Sequence, residues 1–105
     1  MSQQPGGAPP PLPLTIINPQ VNMRRAYEVG IINLRISIDR RQAMADGTLP
    51  FDLEEFEELS EQIWDTRVMF ANQIRGWANP RDRLILAFFY HMLIGSMPDA
   101  DGVIR

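Results

Sequence analysis

The sequence predicts an all-α fold: a small bundle of three helices, at about 19–46, 52–78 and 80–94, behind an extended Pro-rich N-terminal arm. Three observations predict it. An Asn-Pro pair stands at Asn18-Pro19 and again at Asn79-Pro80, pairing a favoured N-cap with a residue suited to the first helical position. The segment between these pairs that follows Pro50 is amphipathic with a helical period. The run Leu84 to Ile94 is apolar or aromatic at every position except His91 and is bounded by capping and stop signals. The organisation is then an arm over 1–18, a helical domain over 19–96 and a short C-terminal tail over 97–105.

The arm holds five of the nine prolines. Such a polyproline-type stretch cannot build a core. It becomes apolar toward its end, at Leu12, Leu14, Ile16 and Ile17, which a purely solvated tail does not need. Pro10, Pro11, Leu12, Pro13, Leu14, Ile16 and Ile17 are therefore candidate partner-binding residues, with the arm laid over a neighbouring subunit. The Pro10-Leu12-Pro13 spacing resembles a ligand for aromatic grooves, but no basic residue flanks it.

The first helix is expected to open at Asn18-Pro19 and to stop near Gly47, with Pro50 beyond. Its apolar residues fall in two stripes on nearly opposite sides of a helical wheel. One is Tyr27, Ile31, Leu34, Ile38 and Ala45; the other is Val21, Val29, Ile32, Ile36 and Ala43. A helix of this kind is covered on two faces, so Val29, Ile32 and Ile36 join the candidate partner-binding residues. A rival reading exists, because Ile32 to Asp39 alternates at period two like a strand. Helix formers flank the run and no second alternating run is present to pair with it, which favours helix.

Phe51-Asp52 opens the second helix. Asp52 is placed to cap, Glu55 stands at the third helical position as in a capping box, and Phe51 can staple to Phe56. The apolar stripe is Leu53, Phe56, Leu59, Ile63, Trp64, Phe70, Ile74 and Trp77. Glu54, Glu58, Glu61, Asp65, Asn72 and Gln73 make the opposite face. Arg67 falls within the apolar stripe, where it is expected to snorkel or to pair with a carboxylate. Seven acids and no base lie between Asp52 and Asp65, against five Arg and three acids between Met23 and Asp46. This asymmetry predicts that the first helix lies beside the start of the second.

The third helix starts at Pro80, carries Asp82 in its first turn and stops at Gly95. It is too short to cross a bilayer, which takes about 20 apolar residues. Being apolar all round, it is expected to be surrounded by protein.

Composition narrows the function classes. The net charge is −3, and no face reads as a basic stripe, so no nucleic-acid partner is expected. A helix-turn-helix reading of the last two helices fails because Leu84 to Ile94 offers base edges almost no polar side chain. There is no cysteine, which removes thiolate and disulfide chemistry. All ten basic residues are Arg, a bias that codon usage in a GC-rich genome explains. Neither a secretory leader nor a transmembrane segment is read from the sequence, and no membrane insertion is expected.

No catalytic, cofactor-binding or metal-binding residues are assigned. The single histidine, His91, sits in the apolar run and is expected as a hydrogen-bonded core or interface residue. A di-iron bundle needs Glu-x-x-His, but position 88 is Phe. Asp99-Ala100-Asp101-Gly102 echoes the start of a calcium loop without its closing Glu. Two Trp, five Phe and six Met are more apolar surface than three helices readily bury among themselves. The expected function is that of a non-enzymatic structural subunit of a large assembly, binding protein neighbours through its helices and arm. A virus or phage component of connector, cement or scaffold type fits best; an assembly chaperone or adaptor, or an accessory subunit of a membrane enzyme complex, are the alternatives.

Overall fold

The computed structural model describes residues 19–99 and 101–103, with side chains placed from Asn22 onward. Three helices follow one another: α1 (Pro19–Ala45), α2 (Leu53–Arg75) and α3 (Pro80–Leu93). No strand occurs among the described residues, and Ile32 to Asp39 lies within α1. Period-two alternation loses here because nothing in the chain offers it a ladder. The arm, with its candidates Pro10, Pro11, Leu12, Pro13, Leu14, Ile16 and Ile17, lies outside the described residues, as does the Asn18 cap.

The helix ends follow local chemistry. Gly47 and Gly95 take φ of 86° and 108°, and stop α1 and α3 in the left-handed region that glycine tolerates. Asp52 caps α2 by accepting from the Glu55 amide at 3.1 Å. The Phe51 and Phe56 rings meet at 5.3 Å, which is the expected staple. The reciprocal half of the capping box is not made, because the Glu55 carboxylate turns away to Arg40 of α1. Gly76 ends α2 at Arg75 rather than near Ala78, its amide donating to the Asn72 carbonyl. Asn79 caps α3 through the amides of Arg81 and Asp82, with Pro80 behind it.

The cross-links between helices fix their directions. Arg24 bonds Asp82 at 3.1 Å, and Arg35 donates to the Leu93 carbonyl at 3.0 Å. Both ties have a sequence separation of 58, so α1 and α3 run parallel. Tyr27 donates to Gln73 and Arg41 to Ser60, so α2 runs antiparallel to α1. The bundle is up-down-up, with α2 as the return leg. The Arg40–Glu55 pair joins α1 to the start of α2, where the charge blocks placed it.

The core is Ile31 and Leu34 of α1, Ile63, Phe70 and Ile74 of α2, and Leu86 and Tyr90 of α3. Tyr27 braces its rim edge-on to both Phe70 and Trp77. Gly30 lets α2 approach: a Cβ there would lie 2.7 Å from the buried Phe70 ring. The tail is more ordered than a loose end. Pro98 is fully buried, and Asp99 accepts from the amides of Asp101 and Val103. A Cβ added at Gly102 would lie in ordinary van der Waals contact with Val68 and Trp64. The Asp99 carboxylate thus closes a turn on backbone amides.

Candidate functional site

The two stripes of α1 meet opposite fates. Ile31 and Leu34 are 0% and 4% exposed, whereas Val29, Ile32 and Ile36 are 56%, 44% and 59% exposed. On α3, Leu86 and Tyr90 are fully buried, but Leu84, Phe88 and Met92 are 71%, 66% and 66% exposed. α3 is therefore covered by α1 and α2 on one side only.

These exposed residues lie on one side of the molecule. Ile32 stands one turn from Glu28 and from Arg35, on the flank of α1 that reaches α3. Val29 and Ile36 continue the row outward. On α3, Asp82 marks the flank toward α1, and Ile85, Phe89 and Met92 continue along it, with Phe88 and Leu84 further out. The result is an apolar face spread over α1 and α3, away from α2. Its six most exposed side chains present of the order of 600 Å², the upper end for the largest patch on a monomer. Val29, Ile32 and Ile36 were legible as a second stripe. Leu84, Phe88 and Met92 were not separable from Leu86 and Tyr90, since an all-apolar run carries no phase.

The face is framed by polar ties that hold its two helices in register. Asp82 is nearly buried and takes one guanidinium nitrogen of Arg24 at 3.1 Å. The Arg24 Nε is buried, lacks a hydrogen bond and lies 3.6 Å from the Glu28 carboxylate. Behind the face, Arg67 donates to the Tyr90 hydroxyl at 3.3 Å and to the Ser96 carbonyl at 2.6 Å. Of the two expectations, pairing with a carboxylate is not met: its partners are a phenol and a carbonyl, because the tail folds back within its reach. Burial pushes the Tyr90 phenol above its ordinary value, against the opposing pull of Arg67.

The described residues offer little for catalysis. His91 is exposed, stands edge-on to Tyr90 at 6.5 Å and makes no hydrogen bond among the described residues, so it is not a core histidine. No group of three metal-ligating side chains gathers among the described residues. No helix among them is long and apolar enough to cross a membrane. An open cavity of about 400 Å³ lies between the start of α1 and the end of α2, lined by Met23, Tyr27, Gln73, Trp77 and Asn79, with no acid, base or nucleophilic pair. No family model, no curated protein and no solved structure matches the chain.

Proposed function

We propose that the chain is a docking subunit, a non-enzymatic structural component of a larger protein assembly. The observation that supports this most is the apolar face of α1 and α3, which the rest of the described chain leaves uncovered. Large contiguous patches of this kind mark interaction sites. A virus or phage particle, in a connector, cement or scaffold role, is the assembly that suits a short, lysine-free helical subunit with a Pro-rich leader. That choice rests on architecture, an associational argument.

The test is isolation from the native source, with neighbours identified by mass spectrometry. The chain is expected in fixed ratio with other chains of a finished particle. Recovery alone, or only from particles still being assembled, would overturn the structural role, the second outcome pointing to an assembly chaperone. Ile32→Asp and Phe88→Asp change exposed positions. Each is expected to release the chain from its neighbours while leaving its helical content intact.

A further inference from the structure

The exposed row of α1 has a symmetry that commits it to one occupant. Read outward from Ile32, the face carries Val29 and Ile36, then Arg25 and Asp39. The spacing Arg25, Val29, Ile32, Ile36, Asp39 alternates four and three, the step of a helix–helix seam. The row is basic at one end, acidic at the other and apolar between. Laid antiparallel on a copy of itself about a two-fold axis at Ile32, it is close to self-complementary. Arg25 meets Asp39 and Ile32 meets Ile32, while Val29 comes within one residue of Ile36. A two-fold contact requires such self-complementarity.

Three further observations agree. Arg25 is exposed and has no ion pair or hydrogen bond among the described residues. Asp39 is 59% exposed and held by Arg35 at 3.0 Å, which leaves carboxylate surface for a second cation. On α3, the exposed residues Leu84, Phe88 and Met92 step by one turn each. The parallel ties at separation 58 set Ile32 level with Tyr90, within a turn of Phe88. One axis at that level sets Ile32 against its own copy and Phe88 opposite Met92 of the copy. With its charged rim, the face approaches the roughly 800 Å² per partner of a standard interface.

We infer that the α1/α3 face pairs with the same face of a second copy of this chain, forming an antiparallel two-fold dimer centred on Ile32 of α1, with Phe88 of α3 facing Met92 of the copy. The inference rests on the docking reading and names its partner; the dimer is the building block that the assembly would use.

The absence of cysteine makes the test direct. The full chain is measured by sedimentation velocity, then as single-cysteine variants under mild oxidation. A dimer is expected, with Ile32→Cys cross-linking to itself. Val29→Cys and Ile36→Cys are expected to cross-link when mixed but not alone. Each would lie about 10 Å from its own copy at 1.5 Å per residue, beyond the reach of a disulfide. Arg25→Asp is expected to weaken the dimer roughly tenfold, with recovery on adding Asp39→Arg. Circular dichroism of each variant confirms that the helices persist.

A monomeric full chain overturns the inference, and removal of residues 1–18 would then report whether the leader occupies the face. A dimer in which Ile32→Cys does not cross-link to itself, or in which Val29→Cys does so without its Ile36→Cys counterpart, overturns it too. These failures are distinct from failure of the docking reading. A monomer that still co-isolates with other chains leaves that reading standing, whereas a dimer without neighbours removes the larger assembly.

Discussion

Ile31 and Ile32 are consecutive, chemically identical and oppositely placed: one is sealed in the core, the other is 44% exposed. The stripe that holds Ile31 faces both other helices, and the stripe that holds Ile32 only borders α3 and is left largely uncovered within the described chain. On α1, then, hydrophobicity alone does not assign a residue to the interior. Phase relative to the neighbouring helices does. The inner stripe stabilises the fold, and the outer one is free for association.

The widest separation of the two stripes should come from alanine. Ile31→Ala and Leu86→Ala remove fully buried side chains and are expected to cost about 2–5 kcal/mol each. Ile32→Ala and Leu84→Ala, measured by denaturant unfolding at high dilution, are expected to stay within about 0.5 kcal/mol. Equal losses from the two stripes would break the comparison.

Gly30→Ala sharpens it at the α1–α2 contact. Its Cβ would press on the Phe70 ring, and overpacking costs about 1–3 kcal/mol. The gain in helix propensity returns up to about 1 kcal/mol. A net loss in the midpoint of denaturant unfolding is expected, and a gain would mean that Phe70 moves aside freely.

On the α1–α3 side, Asp82→Ala removes the acceptor for Arg24 and leaves that partly buried guanidinium short of a partner. A loss of about 1–3 kcal/mol is expected in the same measurement. A neutral result would show that Glu28 or water replaces Asp82.

The smallest effect concerns Tyr90. Its phenol is raised above the ordinary value by burial, so the folded chain keeps a proton that the unfolded chain gives up. Its stabilising contribution is complete below about pH 10 and is lost as pH rises through the folded value. Tyr90→Phe should cost about 1 kcal/mol at neutral pH through the lost bond to Arg67 and should flatten the alkaline decline. An unchanged alkaline decline would exclude Tyr90 as its source.

Much of this was legible in the chain. The Asn79-Pro80 pair, the Phe51–Phe56 staple and the glycine stops wrote the helix boundaries in local chemistry, which sequence carries directly. The two stripes of α1 were legible because polar residues separate them. Three things were not. Leu84 to Ile94 gave no phase, so its exposed row was invisible. Arg67 found Tyr90 and Ser96, and Glu55 found Arg40, because those partners depend on how distant segments return. His91 falls on the outer face for the same reason: its surroundings are set by helix placement, not by its apolar neighbours in sequence.

The parallel pairing of α1 with α3 bears on how the chain is made. Arg24 and Arg35 each bond a residue 58 positions later, so these partners leave the ribosome well after them. At roughly 5–20 residues per second, that delay is about 3–12 s. Until those partners arrive α1 has only α2, itself finished at Arg75 before Asp82 is added, to shelter its apolar residues.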